Sequence, residues 1–479
     1  MTSLAELLVL SIQAFAVFAI LFFVVVNTNY LLIHVVALLG LYDRKRESEW
    51  DPPYQELGSP FLPGIAVIVP AYNEAETIEE NLRSLLSLEY PDAEVVVVND
   101  GSTDDTLGRL RAAYDLSPID AEVPFEMPCE PVRQVYGSAT HENLLVVDKE
   151  NGGKSDALNA GVWLTDKELF CSVDADTVID RSSLLQVVRP FREYPERVVA
   201  TGGSVRLVNR STVEFGQVTD VVVPSTPLLG LQVVEYLRAF YSGRLGLDRL
   251  GGLILISGAF GVFRTDIARE VGGYRRDTVT EDFDFVLRIH RHMIDADREY
   301  DVTFVPEPVA WTEAPETLAA LSRQRRRWYR GMVETLATHR DLIGRRKYGR
   351  VGTYALPYFL LSEAVGPILE GFGYLLLPVM ALLGILDPAV VLTFFLVTSV
   401  FGVFLSWFCV FSEVSTYRRY GRASETAVLL AYGILENVGY RQWKAYIAWR
   451  GLYEYLTGID AWGRMSRTGF GTQRSPDDD

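Results

Sequence analysis

Three short stretches of the sequence carry groups able to do chemistry. "VVVVNDGSTDD" closes an apolar run with Asn99, Asp100 and Gly101, "LFCSVDADT" closes another with Asp174 and Asp176, and "QRRRWYRG" crowds four arginines beside Trp328 and Tyr329. Asp174 and Asp176 stand two apart at the end of a strand pattern, so both fall on one face. Carboxylates so placed repel each other unless a cation neutralises them. Mg2+ or Mn2+ accepts a few carboxylate oxygens and keeps positions for phosphate oxygens, which points to a nucleotide diphosphate as ligand. The spacing recurs at Asp282/Asp284 and at Asp295/Asp297, the latter in a polar run that reads as solvated surface. Only the Asp174 pair is delivered by an apolar run.

In "TVTEDFDFVLRIHR", Thr280 reads as a helix N-cap, which puts Glu281 and Asp282 in the first turn. Acidic residues there complement the helix dipole; equally, a carboxylate kept ionised at the mouth of a site takes a proton from a hydroxyl. The residues alone leave both readings open. His290 and His292 read as helix surface rather than as metal ligands. Gln324, Arg327 and Trp328 fall at i, i+3 and i+4, so one helical face offers an amide, a guanidinium and an indole. Cytoplasmic flanks of membrane spans also collect arginine, which accounts for the number of arginines but not for that order. "NGGKS" lacks the first glycine of a P-loop, since Asp148 stands there, and no GxGxxG follows the first apolar run.

The elements that must position these groups are legible. Apolar runs "GIAVIVP", "AEVVVVND", "NLLVVD" and "LFCSVD" alternate with helical stretches beginning at Glu74, Thr103 and Lys154. Such alternation predicts a parallel sheet with helices on both faces. Ligands then bind beyond the carboxyl ends of the strands, where the turns carrying Tyr72 to Glu74, Asp100, and Asp174 to Asp176 fall together. Turn chemistry explains any one of them; three at one edge indicate a site. The stretch from Ser117 to Pro131 reads as an inserted loop.

The ends of the chain are apolar. Leu7 to Tyr42 is long enough to cross a ~30 Å hydrocarbon core as one tilted helix, in preference to a hairpin turning at Asn27–Asn29. "DRKR" after it places the cytoplasmic side there and the N-terminus outside. Further spans are expected at Gly366–Leu386 and Ala389–Phe411, with an interfacial helix over Tyr354–Val365. Glu425–Tyr455 is expected to be amphipathic and surface-lying. The organisation expected is a span in 1–42, a linker in 43–63, a soluble domain in 64–350, membrane helices in 351–411 and a cytoplasmic segment and tail in 412–479. A net charge of −17 and a pI of 4.9, with a mean hydropathy of +0.12, fit an acidic soluble part joined to membrane helices and argue against nucleic-acid binding. The basic residues are six lysines and 39 arginines, and the three cysteines are scattered without a CxxC, so neither zinc nor a disulfide framework is expected.

"PAYNEA", "VVNDGSTDDT", "NGGKSDALNAG", "SVDADT", "SGAFGVFR", "TED" and "QRRRW" occur in the order found in membrane-integrated family-2 glycosyltransferases. The chain resembles the cellulose synthase-like and poly-N-acetylglucosamine synthase-like enzymes of that family, and more distantly hyaluronan and chitin synthases. The resemblance implies an α/β GT-A fold joined to an α-helical transmembrane region in the inner membrane. It also implies a UDP-sugar donor, Mg2+ or Mn2+, and inverting transfer to a saccharide or lipid acceptor. By position, it makes Asp282, with Glu281 beside it, the base. Asp100, Tyr72, Glu74 and Lys154 become donor contacts, and Asp174 and Asp176 the metal and diphosphate pair. Ser257 and Gly258 become the acceptor-side loop, and Gln324, Arg327 and Trp328 the acceptor and leaving-group residues. Asn99 departs from the second aspartate of many relatives, and Trp462, Gly463 and Arg464 only approximate a gating loop. The reaction expected is extension of a β-linked polysaccharide, with membrane lipids around it and an oligomer or secretion partner to complete an exit path. The alternatives are a glycolipid synthase and a non-catalytic module sensing UDP-sugar.

Overall fold

The computed structural model describes residues 4–48, 62–121, 128–214, 217–417 and 419–459, which cluster into two units. Residues 62–221 and Ile254–Glu313 make the first, a sheet unit; residues 4–45, Val222–Leu253 and 314–459 make the second, a helical unit. Residues 222–253 and 314–350, inside the stretch expected as one soluble domain, therefore belong with the membrane helices.

In chain order the strands are β1 (Ile65–Ala71), β2 (Ala93–Asp100), β3 (Leu116–Ile119), β4 (Val132–Ser138), β5 (Leu144–Lys149), β6 (Leu169–Val173), β7 (Val178–Ile179), β8 (Val198–Leu207), β9 (Thr212–Glu214), β10 (Gln217–Asp220), β11 (Phe260–Arg264) and β12 (Asp301–Thr312). β9 and β10 form a separate ribbon; the rest form one sheet in the order β3-β4-β5-β2-β1-β6-β11-β8-β12-β7. The parallel block β5-β2-β1-β6 is made by the four apolar runs of the sequence. Their middles are fully buried, Ile65 to Val69 and Val95 to Val98 among them, as strands covered on both faces must be. Part of the expected loop at Ser117–Pro131 is instead edge strand, β3, paired antiparallel with β4. Residues 122–127 of that stretch lie outside the described residues. Ala71 pairs with Asn99 and Asn99 with Asp148, so the carboxyl ends of β1, β2 and β5 are level. β11 is antiparallel to both its neighbours, β6 and β8.

In the helical unit, three helices among the described residues are long and apolar enough to cross a membrane: Val9–Tyr42, Val351–Leu382 and Pro388–Thr416. The first is continuous within Leu4–Ser48. Thr28 and Asn29 do not break it, because their side chains bond back to the Val24 and Val25 carbonyls one turn earlier. Tyr354–Val365 is not a separate interfacial helix. It runs through π-helical turns straight into Gly366–Leu382. Glu363 is satisfied within the unit by the Tyr30 hydroxyl at 2.6 Å.

Glu425–Tyr455, expected as an amphipathic segment, is not one continuous helix. It folds as two helices, Ala423–Leu435 and Arg441–Thr457, bent at Val438 and at Gly439, whose φ of +84° suits glycine. Three of its charged residues are partnered within the unit. Glu436 accepts from Arg238, Arg441 pairs with Glu370, and Lys444 reaches Glu235 at 2.7 Å. The linker expected at 43–63 lies mostly outside the described residues.

Candidate active site

At the level edge of β1, β2 and β5 the turns are stitched together. Asn73, at a left-handed φ of +57°, accepts from the Thr103 N–H at 2.8 Å and donates its own N–H to Ser102 at 3.0 Å. Asparagine tolerates that conformation and bonds neighbouring backbone. Tyr72 beside it is exposed. Glu74 accepts from the Thr77 hydroxyl at 3.0 Å, and its N–H donates to Thr106 at 2.9 Å.

Asp100 is buried, and both its oxygens are taken. One accepts from Lys149 at 2.7 Å and Gly152 N–H at 3.0 Å, the other from Gly153 N–H at 2.7 Å and Asn151 at 3.1 Å. It thus clamps the loop that opens the Lys154–Leu164 helix. Lys149 is equally buried and also contacts Asp156, which Arg276 bonds at 2.6 Å. Asn99 donates to Asp148 at 2.7 Å, and its buried Oδ1 has no partner among the described residues.

Lys154 heads that helix and points to a second group of carboxylates. Its ammonium lies 2.6 Å from Asp174 and 3.2 Å from Glu281, and it donates to the Gly258 carbonyl at 3.1 Å. Gly258 N–H donates to Asp282 at 2.9 Å, and the Phe283 N–H to the other Asp282 oxygen at 2.8 Å. The approach at 258 is close: a Cβ there would come 3.0 Å from the Lys154 nitrogen, so a larger residue would press on the end of that side chain. Ser257 forms the turn into β11, its carbonyl accepting from Phe260 N–H at 3.1 Å. Burial disfavours the Lys154 ammonium, but Asp174 and Glu281 outweigh it and hold its pKa well above the usual value. Burial, then the Glu281 carboxylate, push the Asp282 carboxyl up from 3.8 against the pull of Lys154 and the two N–H groups.

Thr280 holds the N-cap position without a capping side-chain bond. Asp284 belongs to another cluster, bonded to Arg288 at 2.7 Å and Arg275 at 3.4 Å. Asp295 and Asp297 are exposed. His290 is buried, bonded to the Tyr300 hydroxyl at 2.7 Å, rather than on the helix surface, and His292 pairs with Glu270.

Among the described residues there is no group of three or more His, Cys, Asp or Glu able to hold a metal alone. Asp174 and Asp176, both partly exposed on the turn after β6, still suit Mg2+ or Mn2+. Such ions are held by one or two carboxylates and complete their shell from phosphates and water. They do not suit a self-contained zinc site.

Gln324, Arg327 and Trp328 lie in the helical unit, on the Leu318–Thr338 helix that Thr317 caps through Ala320 N–H at 3.2 Å. Arg327 is exposed and Gln324 partly buried. The buried arginine is Arg325, ion-paired with Glu235 at 3.0 Å and set 4.2 Å over the Trp328 ring. Sequence reasoning passed over Glu235, Arg325, Lys149 and Asp156. Lysine is scarce in this chain, which marks Lys149; Asp156 is the one charge in "DALNAGVWL". Trp462, Gly463 and Arg464 lie outside the described residues.

Residues 169–410, half of the chain, match the profile of glycosyl transferase family group 2, and residues 66–123 that of glycosyl transferase family 2. The chain is 29% identical over 295 residues to a poly-beta-1,6-N-acetyl-D-glucosamine synthase of Staphylococcus epidermidis, covering 62% of this chain and 60% of that one. It is 28% identical over 298 residues to the synthase of the same name from Staphylococcus aureus strain COL, covering 62% and 61%. The match thus spans about three-fifths of those relatives' length. A solved mannosyltransferase from Pyrobaculum calidifontis, in complex with GDP-Man and Mn2+, superposes with a TM-score of 0.52 at 18% identity, covering 91% of this chain and 99% of that one. That likeness establishes the GT-A fold.

Proposed function

The chain belongs to glycosyl transferase family group 2, and on that premise we propose that it extends a β-linked polysaccharide from a UDP-sugar at the cytoplasmic face of a membrane. The observation that carries this reading is the Lys154 cluster. It presents Asp282, fixed through both oxygens, within one lysine of Asp174. Asp282 takes the proton of the acceptor hydroxyl as its oxygen attacks the anomeric carbon. The new C–O bond forms as the bond to the diphosphate breaks, and UDP leaves with that electron pair. An α-linked donor therefore gives a β-linked product. The raised pKa of Asp282 brings its basicity nearer to neutral pH, where proton abstraction is most effective. Lys154 supplies fixed positive charge for the donor's phosphates. Mg2+ or Mn2+ held by Asp174 and Asp176 would neutralise the diphosphate and the charge it gains on leaving. Asp100 shapes the nucleoside side of the site by holding the Gly152–Gly153 loop, with Tyr72 and Glu74 alongside. On the helical unit, Trp328 offers a sugar ring a flat apolar face, and Gln324 and Arg327 offer donors suited to phosphate.

The test is purified protein in detergent, given UDP- and GDP-sugars one at a time and scored by nucleotide release and product size. High-molecular-weight product from one UDP-sugar is expected, abolished by EDTA and restored by Mn2+ or Mg2+. One sugar per organic-extractable lipid would replace polymer synthesis by glycolipid synthesis. No release from any donor would overturn the reading.

A further inference from the structure

In the helical unit the last turn of the helix Pro227–Tyr236 carries Glu235, a carboxylate only 6% exposed. Three groups converge on it: Arg325 at 3.0 Å, the Tyr440 hydroxyl at 2.9 Å and Lys444 at 2.7 Å. Burial alone would raise its pKa, but Arg325 and Lys444 outweigh that and keep it charged. Arg325 in turn covers one face of Trp328, while Phe240 lies 6.1 Å from the indole, ring centre to ring centre. Phe240 is itself fixed by stacking on Tyr236 at 4.4 Å and by Arg244 at 4.3 Å. The pairing of Tyr236 with Phe240 spans the entry to the π-helical segment Leu237–Gly243. The indole is therefore seated against Phe240 and against an arginine that a single buried carboxylate holds in place.

We propose that Glu235 is a positioning residue for Trp328, acting through Arg325, and that it sets the acceptor step of the transfer proposed above. This assigns a role to the first of the two unspecified positions in Gln-x-x-Arg-Trp. Arg325 and Trp328 lie at i and i+3 on one helical face, so the arginine that stacks on the indole is Arg325. The clamp needs a planar guanidinium, because lysine can keep the ion pair but cannot stack.

The experiment uses the full chain in detergent with two readouts. The first is acrylamide quenching of Trp328 emission, taken as the difference between each protein and its Trp328→Phe counterpart. Glu235→Gln is expected to raise quenching of that one indole, and Arg325→Lys to do the same while keeping the charge. The second is steady-state transfer. Glu235→Gln should raise the acceptor KM by about 10-fold or more, as misplacement of a binding group does, leave the donor KM unchanged, and add little in a Trp328→Phe background. Glu235→Asp should restore part of the loss. Unchanged Trp328 quenching in Glu235→Gln overturns the clamp. Altered quenching with an unchanged acceptor KM, or a parallel loss of donor binding, overturns its role in the acceptor step. Because quenching needs no turnover, it decides the clamp even if the wild-type chain transfers no sugar, a result that would count against the proposed function itself.

Discussion

Lys149 and Lys154 are five residues apart and each bridges two carboxylates, yet the clusters they build are opposites. Lys149, Asp100 and Asp156 are dry, with side-chain exposures of 0%, 4% and 0%, and hydrogen bonds from the Gly152–Gly153 loop and Arg276 complete them. Lys154, Asp174 and Glu281 are 33%, 28% and 16% exposed. A closed cluster spends its charge on holding backbone in place, since any unpaired member would be stranded in low dielectric. An open one keeps its charge within reach of a ligand. The same residue types are structural on one side of a helix start and, in the reaction proposed, available for chemistry on the other.

The strongest way to break this comparison is Asp282→Asn, beside the open cluster. It should lower transfer by about 10²–10⁴-fold while the donor still protects the protein from thermal unfolding; normal turnover would return Asp282 to complementing the helix dipole. The sign of the pH effect follows from its raised pKa. Below that value Asp282 holds a proton and cannot accept another, so kcat/KM should climb through a pH range above that of an ordinary carboxylate and then level off. Lys149→Met probes the closed cluster. It leaves Asp100 and Asp156 buried without their shared cation, and should cost about 3–5 kcal/mol of stability, read as a lowered unfolding midpoint; Lys154→Met should spare stability and lose transfer. The smallest effect belongs to Asp295→Asn with Asp297→Asn. These exposed carboxylates repeat the Asp174/Asp176 spacing, and their loss should change stability by no more than about 0.5 kcal/mol and transfer not at all.

The parallel block was legible because β1, β2, β5 and β6 are apolar runs closed by turn residues, which also placed Asp100 and Asp174 at one edge. β3 escaped because "LSPI" carries a proline and three exposed residues, as an edge strand can. Helical spacing put Arg327 with Gln324 and Trp328 but could not say which face of the helix would meet a neighbour, so Arg325 went unnoticed. Glu235 was hidden for a related reason. One acidic residue in "LLGLQVVEYL" looks like a helix end until Arg325 and Lys444, 90 and 209 residues later, supply its counter-charges.

The antiparallel strand β11 has a consequence for synthesis on the ribosome. It lies between β6 and β8, so β8 has no link to the block of β1 to β6 until residues 260–264 emerge. Before they do, the chain has already left to contribute Val222–Leu253 to the helical unit. The sheet cannot be completed as an N-terminal domain that folds first and waits, and its exposed strand edges stay open while membrane-unit segments are being made. A fragment ending at Leu253 would carry Asp100, Lys154, Asp174 and Asp176 but neither Gly258 nor Asp282. The proposed site is therefore completed late, when Gly258 and then Asp282 join carboxylates already made.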